Sequence, residues 1–398
     1  MTRLATSSLL LGTMVLLAGC GGPSQHGKEM RQQAYSRMDA VNAGMVHEQA
    51  VSAFETGQLE RARTLMVSAI DRFPEASAWY VLLGRILVEQ HRLDEARRSF
   101  EYAITLGEEG SEVHYYLGVL YERWSKDDQA VEHFAKAAEA DPGRPQFVLA
   151  WAEALIATGK VDEAHEVISS RMDHFEHHAG LRHLQGHCEM LRGNHAQAVS
   201  HCEAALLLSP DDRGMMRDLA HMTFGDGQWG ECLNRLEYIE DRWGELSPAL
   251  RRVQARALMA SGRLVEARSM FKLICADSPD DSDVWHEFGL LAWNIGDWNS
   301  LESTADKLEQ LDAYPYEREL FRALIERHEG HWTQAATRLE RLIEQFPDRP
   351  AIWAVLSTIR HRMGDFDGSE KARDIAVKWA SNSADGTSVS GVYGTHGP

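Results

Sequence analysis

Apolar and small residues return along this chain with a period of 34 positions. Residues 114–142, HYYLGVLYERWSKDDQAVEHFAKAAEADP, suit a helix throughout except for Gly118, which costs roughly 1 kcal/mol there relative to alanine. The exception recurs: Ala50, Gly84, Gly118, Ala152, Gly186, Ala220, Ala255, Gly289, Ala323 and Ser357 form a column of small residues, with one extra residue near Ser247 as the only break in register. Twelve positions on, a second column reads Ala62, Ala96, Ala130, Ala164, Ala198, Cys232, Ala267, Leu301, Ala335 and Ser369, where only Leu301 is large. Between them lie Gly57, His91, Ser125, Gly159, Gly193, Gly227, Gly262, Gly296, Gly330 and Gly364, a column that ends one helix in a left-handed residue and starts the next. Each unit is therefore predicted to be helix, tight turn, helix, with small residues allowing two antiparallel helices to approach closely.

This pattern resembles the tetratricopeptide repeat, carried almost intact by Leu117-Gly118, Tyr121, Ala130, Phe134, Ala137 and Pro142. The resemblance implies an all-α fold, a right-handed α-solenoid of about ten units over residues 43–383, forming one long domain with a concave inner face. Pro74, Pro142, Pro210, Pro279 and Pro347 close the second helix of alternate units. The motif is weakest in units six, eight and ten, where Gly244, Leu301 and Arg373 replace the expected Pro, Ala and Phe. Residues 29–42 extend the first helix backwards. The stretch from 381 lacks periodicity, and residues 384–398 are expected to be disordered.

The N-terminus has its own pattern. Arg3 precedes an apolar run, LLLGTMVLL at 9–17, too short to span a bilayer as a mature helix. It ends in Leu17-Ala18-Gly19-Cys20, which resembles the bacterial lipobox. That resemblance implies a signal peptide at 1–19, lipid attachment at Cys20, a tether over 20–42 and a cell-envelope location. Gly21, in place of Asp, favours the outer membrane, facing the periplasm.

Composition narrows the function. A formal charge of −19 argues against nucleic-acid binding, which rests on neutralising phosphates. Nucleophile elbows, phosphate loops, dinucleotide fingerprints and HExxH motifs are absent from the sequence, so it reads as a binding protein, not an enzyme, and no cofactor is expected. Cys188, Cys202, Cys232 and Cys275 would meet an oxidising compartment, but Cys202 and Cys232 fall at inward positions and core packing is the expected role of the four. Residues 174–202 hold seven of the nineteen histidines. His183 and His187, at i and i+4, are weak metal candidates, with His177 or His178 as a third ligand. No acidic ligand is aimed at the same point, and they are read as surface histidines.

In the family the concave face is lined by repeat positions 2, 5, 9, 12 and 13. The first four units place Arg85 and Arg123 there against Glu55, Glu89, Glu112, Glu122 and Glu153. The last six reverse the sign, with Arg217, Arg252, Arg256, Arg327 and Arg362 against Asp283 and Glu317, and with no lysine. Arginine suits bidentate capture of carboxylates. His221 shares this half with Met190, Phe224 and Trp293, which would supply apolar contact. The expected partner is a protein or peptide with an acidic or carboxylate-bearing segment, held by a membrane-anchored adaptor that assists a secretion, pilus, outer-membrane or polysaccharide-export assembly. The alternative is an envelope receptor for a small anion, a polysaccharide or a metal.

Overall fold

A computed structural model describes residues 24–383, in which there are twenty helices and no strand. The expected signal peptide at 1–19, Cys20 and the tail 384–398 lie outside the described residues. The chain forms two compact units that divide between Val167 and Ile168. In the first, α1 (Gln25–Glu55), α2 (Leu59–Arg72), α3 (Ser77–Glu89), α4 (Leu93–Thr105), α5 (Ser111–Arg123), α6 (Asp127–Ala140) and α7 (Pro145–Ala157) pack in sequence order, and α8 (Val161–Ser169) crosses the division. The second holds α9 (Ala179–Leu191), α10 (His195–Leu208), α11 (Arg213–Gly225), α12 (Trp229–Trp243), α13 (Pro248–Ala260) and α14 (Leu264–Asp277). It continues through α15 (Ser282–Ile295), α16 (Trp298–Gln310), α17 (Pro315–His328), α18 (Trp332–Gln345), α19 (Pro350–Arg362) and α20 (Phe366–Ser383). Odd-numbered helices are the first of each repeat and even-numbered ones the second.

Rings explain three of the four column glycines, while Gly186 instead lies against the backbone of α10, where a Cβ would stand 3.0 Å from the Ala198 carbonyl oxygen. A Cβ on Gly118 would lie 2.6 Å from the Phe134 ring, and one on Gly84 would lie 2.5 Å from Phe100. Both phenylalanines are fully buried, so each ring is pressed against the first helix's backbone where a side chain would stand. Unit eight reaches the same end by another route. Leu301 fills the small column, Ala305 stands where units two, three and seven carry Phe100, Phe134 and Phe271, and Phe321 from the following odd helix packs against Gly289 instead.

All ten residues of the turn column have a left-handed backbone, the eight glycines together with His91 (φ 58°) and Ser125 (φ 54°). The inserted residue near Ser247 accommodates a longer second helix, α12, which ends at Gly244 with φ 87°.

Unit four departs from the other units at one buried position. Seven residues after the second small column, the chain buries Ala69, Ala103, Ala137, Ala205, Ile239, Ile274, Leu308, Leu342 and Ala376. Unit four places Arg171 there, and α8 ends at Ser169 before that guanidinium would enter the core.

Candidate partner-binding surface

Arg252 and Arg256 project from α13 one turn apart, and the structure gives them a partner within the chain. Glu287 on α15 accepts from Arg252 Nε at 3.1 Å and Nη2 at 2.6 Å, from Arg256 Nε at 2.9 Å, and also from Arg256 Nη2. Its side chain is only 13% exposed. Burial pushes its carboxyl up, but hydrogen bonds from Arg256 and Arg252 outweigh that and hold it below the usual glutamate range. These arginines therefore share one internal carboxylate, with Asp283 3.8 Å from Arg252 Nη2, and their charge is partly offset before any partner arrives.

The same register operates two repeats earlier. Asp218 on α11 brings Oδ2 to 2.9 Å from His183 Nε2, a charge contact off the hydrogen-bond line. Asp218 and Glu287 occupy one repeat position, 35 residues beyond His183 and Arg252 respectively. That position lies outside the five used to read the groove, so both acids were missed. The available signal was an isolated carboxylate in a column otherwise filled by Leu82, Tyr116, Ala150, Leu184, Val253, Phe321 and Val355, apart from Glu48 in the first unit. Burial lowers the basicity of His187 and His221, with Asp218 opposing. Among the described residues, no group of three or more His, Cys, Asp or Glu is placed to hold a metal ion.

Two arginines differ. Arg217 on α11 is exposed and Arg327 on α17 is half-buried, and neither forms an ion pair among the described residues. Burial alone pulls Arg327 below the usual guanidinium range. Between them in the register run Phe224, Met259 and Trp293, at one repeat position on α11, α13 and α15, each half-buried against the core, and Met190 on α9 precedes them. Met259 belongs to this apolar column although the sequence reading did not single it out. Not all groove positions face outward: Leu320 and Leu324 are buried.

The four cysteines are buried free thiols, and burial pushes Cys188 and Cys232 up to about 11 and Cys202 and Cys275 to about 12. Cys202 and Cys232 direct their sulfurs toward the carbonyls of Met215 and Ala220.

Models described as "Tetratricopeptide repeat" match residues 47–97, 81–145, 318–383 and 128–186. The chain belongs to the tetratricopeptide repeat family. Members of this family act as protein-binding scaffolds, and the fold is generally non-enzymatic. The chain is 30% identical over 120 residues to mouse (Mus musculus) "Superkiller complex protein 3", covering 28% of this chain and 8% of that protein. It is 26% identical over 97 residues to "Mitochondrial import receptor subunit TOM70" of Rattus norvegicus, covering 24% of this chain and 16% of that protein. The tetratricopeptide match thus spans a small part of either relative. Among solved structures, YrrB, titled "a TPR protein with an unusual peptide-binding site", aligns with a TM-score of 0.39 at 21% identity, over 44% of this chain and 89% of that one.

Proposed function

We propose that the chain is a lipid-anchored adaptor of the cell envelope, and that its second unit grips an extended protein segment bearing a carboxylate. The observation that carries this reading is the pair of cations that make no ion pair among the described residues, Arg217, whose nearest acid Asp218 is engaged with His183, and Arg327, bracketing the column Phe224, Met259 and Trp293. An extended segment lying across α11, α13, α15 and α17 would meet a charge near each end and apolar surface between them. Arg327 has already lost part of its hydration, so a carboxylate reaching it gains more than it would from a fully solvated guanidinium. Arg252 and Arg256 shape this face through Glu287 and do not themselves bind.

A pull-down from detergent-solubilised membranes identifies the partner, and calorimetry of that partner against Arg217→Ala with Arg327→Ala tests the site. Charge-assisted hydrogen bonds contribute roughly 1.5–3 kcal/mol each, so the double variant should bind at least tenfold more weakly. Arg85→Ala should leave affinity unchanged. Equal affinity of the double variant and the parent would place the partner elsewhere.

One observation favours a second reading, capture of a small anion. A cavity of about 650 Å³ between α17 and α18 is lined by Arg318, Arg338 and Arg341. Glu319 and Glu326 already hold Arg338, at 2.5 and 2.7 Å, which leaves this site less cationic than its arginines suggest. Saturable binding of a small carboxylate or phosphate that is lost in Arg341→Ala would support it.

A further inference from the structure

The first helix carries two apolar faces on opposite sides. From Ala43 onward, α1 packs conventionally, burying Ala43, Ala50 and Ala53 against its neighbours. Before Ala43, none of the described residues 25–42 is buried. This extension is about 27 Å long at 1.5 Å per residue. Yet Met30, Met38, Val41 and Met45 are exposed by 52, 52, 64 and 55%. With Ala34 they are spaced 4, 4, 3 and 4 residues apart, which places all five within an arc of about 80°. Ala43, Ala50 and Ala53 lie on the other side of the helix, so the stripe does not continue the repeat core. Arg31 and Arg37 flank it, one on each edge, while Glu29 and Asp39 fall away from it.

We propose that this stripe lies on an anionic lipid surface. The choice of occupant rests on the lipid expected at Cys20. Four residues separate that cysteine from Gln25, the first residue of α1, and the five chain steps reach at most about 18 Å. An anchor there holds the helix beside the headgroups, and tethering adds a high effective lipid concentration to the stripe's own affinity. Arginines at the edges of an apolar stripe match anionic headgroups above acyl chains. No described helix is long and apolar enough to cross a membrane, so the contact runs along the surface. An unpacked helical segment of this length is marginal in water, and the surface that covers the stripe also stabilises it. The adaptor would then stand on the bilayer in a set orientation.

The test uses the mature chain from residue 20 with Cys20→Ser, so that any vesicle contact comes from the protein itself. It should co-sediment with vesicles of phosphatidylglycerol and phosphatidylethanolamine, and less with phosphatidylcholine alone. Met38→Gln with Val41→Gln should weaken this at least tenfold with an unchanged circular dichroism spectrum, since both side chains are exposed. Arg31→Gln with Arg37→Gln should weaken it and flatten its salt dependence. No sedimentation of the parent, or equal sedimentation of the Met38/Val41 variant, overturns the proposal. So does sedimentation equilibrium showing a dimer that the variant converts to monomer, because the stripe would then seat a second copy. The intact mass of the wild-type chain reads acylation of Cys20 separately, so loss of the anchor and loss of the helix contact are distinguishable.

Discussion

His114 on α5 and His133 on α6 face each other with their Nδ1 atoms 3.2 Å apart. Tyr121 stacks on the His133 ring at 5.2 Å. Burial and then the neighbouring His114 pull His133 from 6.5 down to about 4, and burial also lowers His114. A base whose folded value is depressed contributes stability that is complete above its unfolded value and lost as pH falls toward the folded one. Unfolding free energy should therefore drop between about pH 6.5 and 4. Both rings are only half-buried, so solvent screening limits the loss from pH 7 to 5 to about 1 kcal/mol. Urea titrations at the two pH values measure it. In His133→Phe this part of the slope should vanish, and an unchanged slope would show that other groups carry it.

His91 and Ser125 occupy the turn position that is glycine in the other eight repeats, with φ of 58° and 54°. A side chain in that region costs about 1–2 kcal/mol, partly offset by the greater unfolded-state freedom of glycine. His91→Gly and Ser125→Gly should each stabilise the chain by roughly 0.5–1 kcal/mol. Thermal unfolding of the single and double variants would show additive rises in Tm. A fall would mean that these exposed side chains make an interaction worth more than the strain.

Gly118→Ala should destabilise despite the higher helix propensity of alanine, because the added Cβ meets the Phe134 ring at 2.6 Å and that ring is locked in the core. Overpacking of this kind costs about 1–3 kcal/mol. Phe134→Leu in the same chain should recover part of the loss, giving a non-additive double-mutant cycle. Additivity would mean that the glycine is needed for another reason.

Glu287→Ala should cost roughly 1–3 kcal/mol, because it leaves Arg252 and Arg256 without the carboxylate that holds both. Their partial exposure favours the lower end of that range. The same change frees two guanidiniums on the proposed binding face, so affinity for an acidic segment should rise and become more sensitive to salt. Denaturation and calorimetry on one preparation separate the two effects. Reduced affinity would mean that Glu287 contacts the partner directly.

The helix pairs, their turns and the residues of the small columns were determined by the sequence alone, because close packing of two helices at a small residue and a left-handed turn both act within one 34-residue unit and repeat with it. Register alone puts His91 and Ser125 in the turn column. The tertiary structure decided which charges are available. Arg252 and Glu287 are 35 residues apart, and Coulomb attraction across neighbouring helices takes whichever acid is in reach, including one at a position that the family's groove omits. The two faces of α1 were also hidden, since one helical pattern can carry an apolar stripe on each side, and only packing shows that Ala43 is covered while Val41 is not.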